Sequence, residues 1–324
     1  MTRLNQLLNV ITKNHVYIQM HNYPDQDAIS SAFGLKTLLE LCGKEVTICY
    51  YGEIDKANTI RMIEQLDIEI IEKSSLNLSY HDEIILVDGQ KGNVNMDDFN
   101  GLEIACIDHH PVMEVSSYKF YDIRSDIGSC ASMITEYFVE NQLEIPEVVA
   151  TALLYGIKID TSNLSRRVSN LDIDMFSHLY KKANQGMLRM LDFNSLQKKD
   201  LIAYQDAIST LRIHKGVGIA KIGDDCSEAL IGSISDFILA LEEVSLTVVY
   251  AYRVGGIRFS LRSENSNVDA GKLIKEALKG YGDGGGHSTM AAGFAPNVCS
   301  HEVSSISEII IKSILNGLDI SKNN

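Results

Sequence analysis

The sequence contains no run of 18 or more apolar residues, which excludes a membrane-spanning helix as a reading of any segment. Its opening residues, Met1-Thr2-Arg3-Leu4-Asn5-Gln6, lack the apolar core of a signal peptide, so a cytoplasmic location and no membrane partner are expected. Cysteine is sparse, and no Cys-x-x-Cys pair occurs among Cys42, Cys49, Cys106, Cys130, Cys226 and Cys299. Several lie in apolar stretches such as Thr47-Ile48-Cys49-Tyr50, and the set reads as reduced core residues, not zinc ligands or disulfide partners. Positive charge is also short. Lys and Arg total 29 against 43 Asp and Glu, a formal net charge of -14. Coating long nucleic acid needs many basic contacts to phosphates, so no long nucleic acid is expected as a partner. A small phosphorylated ligand in a local pocket remains compatible with that balance.

What is present is ordinary globular material. The chain has 324 residues, 45% hydrophobic and 22% charged, with 4 Pro and 23 Gly, and this length suits two domains, each able to bury a core. Leu4, Leu7, Leu8 and Ile11 have helical spacing, and Val16 to Met20 reads as a strand. Ala32, Leu35, Leu38, Leu39 and Cys42 mark a helix that Gly43 ends. Val46–Tyr51, Ile84–Val87 and Ile104–Ile107 are short apolar runs of buried-strand type, and Ile60, Ile63 and Leu66 mark a further helix. Strands alternating with helices predict a largely parallel sheet with helices on both faces.

Helices are expected to dominate from about Ser129 to Leu211, with Pro146 in the first turn of one. The polar stretch Lys181 to Lys199, with Asn184, Gly186 and Asn194, reads as a linker region before a long helix. Beyond Gly216 the pattern changes. Val217–Ala220, Leu246–Tyr250 and Ile257–Leu261 read as strands of a second, smaller sheet, and residues from Ser321 onward as a frayed tail. The fold class is therefore α/β for a domain over 1–185, then a linker or helix over 186–212, then a smaller α+β domain over 213–324.

Four acidic or histidine clusters stand out by position. His21-Asn22-Tyr23-Pro24-Asp25-Gln26-Asp27 follows the first strand, Asp88 follows Ile84–Val87, and Asp108-His109-His110 follows Ile104–Ile107. In an open parallel sheet the carboxyl ends of strands line the binding crevice, so these three clusters should converge. Asp160, at the end of an apolar helical stretch, completes the group. Carboxylates and imidazoles without thiolates suit a hard to borderline ion such as Mn²⁺ or Mg²⁺. That many carboxylates in one crevice would repel one another without cations. Two ions roughly 3.5–4 Å apart can activate a water and clamp phosphoryl oxygens. Asp27 also fits a helix N-cap, a role compatible with metal binding.

These motifs resemble those of the DHH phosphoesterase superfamily, which includes RecJ-type exonucleases, manganese pyrophosphatases and nanoRNase/pAp phosphatases. The resemblance is carried by His21-x-x-Pro24-Asp25-x-Asp27-Ala28, Asp88, Asp108-His109-His110 and Asp160-Thr161. Gly284-Gly285-Gly286-His287, running into Ser288–Phe294, is similar to the glycine-rich signature of the DHH-associated domain. The likeness implies two divalent ions, Mn²⁺ with Mg²⁺ or Co²⁺ as alternatives. It implies His21 and Asp25 on the first ion, Asp27 on the second, Asp88 bridging both, and His109 and Asp160 completing the second site. His110 would face the phosphate, and Asp108 would orient the histidines.

The glycine loop Gly284, Gly285 and Gly286 allows close approach of backbone N–H groups to an anion, and His287 can donate to one. The resemblance makes Arg262 a ligand of a terminal phosphate, with Ser263 beside it. It implies an interdomain cleft that cuts short single-stranded RNA or DNA (nanoRNA) to 5′-mononucleotides and also converts pAp to AMP, and it leaves room for a homodimer. A linear or cyclic dinucleotide phosphodiesterase, a pyrophosphatase or short-chain polyphosphatase, and a non-catalytic nucleotide sensor stay open as alternatives. Two departures mark this chain. Ser162-Asn163-Leu164-Ser165-Arg166-Arg167 stands where the family often has Gly and an aromatic residue, and Gly89-Gln90 follows Asp88 where many members carry a hydroxyl residue.

Overall fold

The computed structural model describes residues 1–321 apart from 55, 94, 114, 193–195 and 254. Asn194 and the tail from 322 thus lie outside the described residues. The chain divides into two compact units, Met1–Ser195 and Leu196–Asn324.

The first unit contains α1 (Arg3–Val10), β1 (His15–Met20), α2 (Gln26–Leu41), β2 (Glu45–Tyr50), α3 (Ala57–Gln65) and β3 (Ile71–Glu72). After these come β4 (Glu83–Val87), β5 (Leu102–Asp108), β6 (Phe120–Ile123), α4 (Cys130–Glu140), α5 (Glu147–Asp160), α6 (Asn170–Tyr180) and α7 (Gln185–Asp192). The six strands are parallel, in the order β3-β2-β1-β4-β5-β6. From β1 the chain builds outward through β2 and β3, then returns to place β4 on the other side of β1. That reversal is a switch point, and it opens a crevice at the carboxyl ends of β1 and β4.

One face of the sheet carries the main core. Ile18, Ile48, Ile85 and Ile107 pack there against Leu35, Leu38, Ile134, Leu153 and other apolar residues of α2, α4 and α5. The expectation of helices on both faces needs correction. Cys49, Ile84, Leu86 and Cys106 on the second face are closed over by Met96, Phe99 and Tyr118, which lie in loops. Strand alternation supplies an apolar second face but does not dictate what covers it. Pro146 is the N-cap residue of α5, one place outside its first turn. The polar Lys181–Lys199 stretch contains α7, whose Leu188 and Leu191 are buried, so it is not simply a linker. All six cysteines are free, but Cys42 and Cys299 are exposed, not core residues. Cys42 lies just past the last turn of α2, beyond the buried stripe.

The second unit contains α8 (Asp200–Thr210), β7 (Arg212–His214), β8 (Val217–Lys221), α9 (Glu228–Leu239), β9 (Leu246–Arg253) and β10 (Gly256–Ser263). It ends with α10 (Ala270–Ala277), β11 (Asp283–Gly286), β12 (Met290–Pro296) and α11 (Val303–Ser321). The sheet order is β11-β12-β10-β9-β8-β7, with β8 and β9 parallel and the remaining neighbours antiparallel. Alternation along β10 sorts its side chains. Ile257, Phe259 and Leu261 join the core beneath α10 and α11, while Arg262 points toward α9. The glycine run is a strand and not a loop. Gly284, Gly285 and Gly286 pair with Gly293, Ala292 and Ala291 of β12. Bare glycines permit it: a side chain on Gly286 would meet the Met290 carbonyl at 2.5 Å.

Candidate metal centre

The four clusters expected to converge do so within the first unit. His21 follows β1, Asp25 and Asp27 lie at the start of α2, Asp88 follows β4, His109 follows β5, and Asp160 ends α5. Their ligand atoms form three groups able to hold an ion: His21 with Asp25 and Asp88, Asp27 with His109 and Asp160, and Asp88 with His109 and His110. Asp88 joins the first group to the second. Its Oδ2 lies 3.7 Å from His21 Nε2 and its Oδ1 3.2 Å from His109 Nε2. His109 Nε2 also lies 3.4 Å from Asp160 Oδ2 and 3.8 Å from Asp27 Oδ2.

Local structure explains these placements. Asp25, and not Asp27 as the sequence suggested, caps α2, its Oδ1 accepting from the backbone N–H groups of Asp27 and Ala28 at 3.0 and 3.1 Å; Asp27 lies within the first turn. Asp27 is buried, and its two oxygens accept from Cys130 and Ala131 N–H at 2.7 and 2.9 Å, at the first turn of α4. Donors at a helix N-terminus favour negative charge there. Gly156, one turn before Asp160, lets α5 approach α2. A Cβ there would sit 2.1 Å from Ser30 Oγ and 3.1 Å from Asp27 Oδ1. Asp88 has φ 58°, a left-handed conformation held by its N–H donating to Ile107 O at 3.0 Å.

The histidines are oriented from behind. His109 Nδ1 donates to Ile127 O at 3.3 Å, and His21 Nδ1 donates to Asn22 O at 2.8 Å. Both bonds turn Nε2 toward the carboxylates and fix the tautomer that a metal needs. Asp108 Oδ1 accepts from His110 Nδ1 at 2.8 Å and from His109 N at 2.8 Å. Gln90, noted in the sequence only as a departure from the family pattern, donates from Nε2 to Asp108 Oδ2 at 2.6 Å. The same side chain ties the following loop through Pro111 O and Met113 N. Its only signal in the sequence is its place two residues after Asp88.

Burial pushes the Asp27 and Asp88 carboxyls well above the usual carboxylate range; Asp88 and Asp160 add to this at Asp27, and Asp25 does so at Asp88. Asp160 is raised as well, by burial first. Asp108 is held down to about 2, because the His110 hydrogen bond and the two imidazoles outweigh its burial. Asp160, Asp27 and Asp108 raise His109 against the opposing effect of its burial. Asp88 Oδ1 is buried and, among the described residues, has no hydrogen-bond donor. A buried acceptor without a partner is costly. A divalent cation is the partner that satisfies it and neutralises the surrounding carboxylates, so the residues present fit metal ions.

Of the predicted substrate residues, His110 lies in the first unit beside the metal ligands, and Arg262, Ser263, Gly284, Gly285, Gly286 and His287 lie in the second. Arg262 and Ser263 end β10; Ser263 N donates to Thr289 O at 2.9 Å, and His287 N donates to Met290 O at 2.7 Å. Arg262 is buried, with Nε donating to Asp236 Oδ1 at 2.8 Å and Nη1 to Ser260 Oγ and Leu261 O at 3.0 Å. Asp236 carries no sequence signal for that contact.

The DHH family N-terminal domain matches residues 15–157, and the DHHA1 domain matches residues 214–315. The chain is a member of the DHH superfamily. Among its relatives, the cyclic-di-AMP phosphodiesterase GdpP of Bacillus subtilis is 26% identical over 313 residues, 88% of this chain and 46% of that protein. A probable manganese-dependent inorganic pyrophosphatase of Streptococcus thermophilus is 27% identical over 158 residues, 45% of this chain and 48% of the relative. The chain thus spans about half the length of either. An exopolyphosphatase-related protein from Bacteroides fragilis superposes with a TM-score of 0.81, covering 99% of this DHH chain and 97% of that one at 16% identity, a likeness of fold.

Proposed function

We propose that this DHH-superfamily chain is a metal-dependent phosphodiesterase that hydrolyses short nucleotides, di- to oligonucleotides of nanoRNA type, to 5′-mononucleotides, with pAp as a further substrate. The observation that carries the reading is Asp88. Its two oxygens divide between two ligand groups, and one of them is buried without a donor among the described residues. His21, Asp25 and Asp88 would hold one divalent ion, and Asp27, Asp88, His109 and Asp160 a second. The carboxylate-rich, thiolate-free donor set favours Mn²⁺. When bound, such a pair lowers the pKa of water and neutralises charge on phosphoryl oxygens.

The protein's own residues do the rest. Asp108 holds His110 by its Nδ1, which orients the ring at the edge of the cluster for contact with a phosphate oxygen. Asp27 and Asp25 are fixed by backbone donors, so the ligand cage is preorganised. Arg262 and His287 would grip the phosphorylated end of the substrate.

A second reading, a linear or cyclic dinucleotide phosphodiesterase, draws support from the GdpP similarity, which extends over 88% of the chain. The pyrophosphatase similarity stops at 45%, which ranks bare pyrophosphate lower. The test is a rate panel with Mn²⁺: 5′-phosphorylated di- to pentanucleotides, pAp, cyclic dinucleotides and pyrophosphate. The proposal expects the highest kcat/KM on short linear nucleotides. Preference for pyrophosphate would overturn it, and no metal-dependent turnover on any member would favour a sensor.

A further inference from the structure

The turn after Asp160 has unusual backbone. Ser162, Asn163 and Leu164 have φ of 48°, 56° and 61°, and Arg167 has φ 51°. Among the described residues this is the one place where three consecutive non-glycine residues share the left-handed region, which L-residues avoid because Cβ crowds the following carbonyl oxygen. Such strain persists only where surrounding structure imposes it, and it concentrates at functional sites.

Both ends of the turn are fastened. Thr161 is fully buried; its Oγ1 donates to Ile157 O at 2.5 Å and accepts from Leu164 N at 3.1 Å. Thr161 O accepts from the N–H groups of Ser165 and Arg166 at 2.9 Å, and Asn163 N donates to Lys158 O at 2.7 Å. At the far end, buried Asp172 Oδ2 accepts from both Ser169 N and Gly128 N at 2.8 Å. Gly128 leaves no room for a side chain, since a Cβ would lie 2.6 Å from Arg167 O. Gly128 in turn follows Ile127, whose carbonyl orients His109. The turn therefore seats Arg167 beside the His109 anchor, seven residues after the ligand Asp160.

Arg167 is half-buried, and among the described residues no carboxylate forms an ion pair with its guanidinium. Its backbone carbonyl lies against Gly128, one residue from the Ile127 carbonyl that accepts from His109 Nδ1, which keeps this charge on the metal-ligand side of the turn. A guanidinium carries five donors in a planar fork that matches two phosphate oxygens. An unpaired arginine next to a carboxylate-rich metal centre weakens cation binding in the resting protein, a cost that an arriving phosphate would offset.

We propose that Arg167 is a phosphate-binding residue of this centre, donating to non-bridging oxygens of the phosphate group brought to the metals. The inference rests on the proposed function in one respect only, that a phosphate group comes to this centre. It adds a ligand that the motifs do not include, at a position where this chain departs from the superfamily pattern.

The test is titration of inorganic phosphate into the Mg²⁺-loaded full chain by calorimetry, with metal stoichiometry and unfolding midpoint measured in parallel. Arg167→Ala should weaken phosphate binding at least tenfold while both the metal content and the midpoint stay at wild-type values. Arg167→Lys, which keeps the charge but not the fork, should fall in between. If the alanine variant fails to fold, Arg167→Gln answers the same question with a side chain of similar reach. Unchanged phosphate affinity overturns the assignment, as does loss of metal together with phosphate, which would make Arg167 a structural support. Arg167-dependent phosphate binding in a chain that hydrolyses no nucleotide would overturn the substrate reading and leave this one standing.

Discussion

His109 Nε2 lies 3.2 Å from Asp88 Oδ1, a buried oxygen that receives no hydrogen bond from any of the described residues. His109 directly follows β5 and Asp88 directly follows β4, so the contact exists because two adjacent parallel strands end at the same edge of the sheet. Much of what the molecule is expected to do depends on that edge.

The first expectation concerns pH. In the metal-free chain, burial raises the carboxyls of Asp27, Asp88 and Asp160, and their mutual charge adds to it. A carboxyl raised in the folded state destabilises folding progressively as pH climbs from its unfolded value, about 3.9, through its folded one. His109 and His110 are raised by their carboxylate neighbours despite burial, so their contribution is present below about 6.5 and lost as pH passes their folded values. Both effects have the same sign. The lowered Asp108, at about 2, acts only at more acid pH. The unfolding midpoint of the chelated protein should therefore fall between about pH 5 and pH 8. Added Mn²⁺ should reverse that slope, because the ligands bind deprotonated. A metal-free midpoint that rises across this window would contradict the electrostatic account.

Gln90 should matter through Asp108. Gln90→Leu removes the 2.6 Å bond to Asp108 Oδ2 and frees the loop at Pro111 and Met113. Activity should drop about 10- to 100-fold, the usual scale for a residue that orients a ligand, with both metals retained. Activity within twofold of wild type would show that Asp108 is held well enough by His110 alone.

Arg262→Ala and His287→Ala should keep full metal content and lose about 1.5–3 kcal/mol of transition-state binding, roughly 10- to 150-fold in kcat/KM. Metal analysis beside steady-state kinetics separates the two functions. Loss of metal in either variant would end the division between a metal-binding unit and a gripping unit.

The proposed preference for short nucleotides has a length test. A formal net charge of -14 offers a long polyanionic strand little overall attraction, so rates on 5′-phosphorylated RNA should fall steeply beyond about five residues. Initial rates on a labelled RNA ladder decide it. Equal rates on short and long strands would favour a processive exonuclease.

The metal cluster was legible in the sequence because parallel strands announce themselves as apolar runs, and the residues just after each run must lie at one edge. His21, Asp88 and His109 needed no more than that. The cover of the sheet's second face was not legible, because Met96, Phe99 and Tyr118 lie in loops without periodicity. The glycine run misled for a related reason. Gly284–Gly286 has no side chains to signal a strand, and its pairing with β12 depends on a backbone approach that composition does not encode. Gln90 was visible only as a departure after Asp88 and Asp236 not at all, since each acts through a hydrogen bond to a residue 18 or 26 positions away.

The central claim is that Asp88 bridges two divalent ions, and the most direct measurement is a Mn²⁺ titration followed by electron paramagnetic resonance. The account predicts two ions per chain and an exchange-coupled spectrum in the wild-type protein. It predicts that Asp88→Asn, folded by circular dichroism, loses the coupling, binds at most one ion tightly, and loses at least about 3 kcal/mol of catalysis, more than 100-fold in rate. A single uncoupled ion in the wild type, or a coupled pair with substantial turnover in the Asp88→Asn variant, would contradict it.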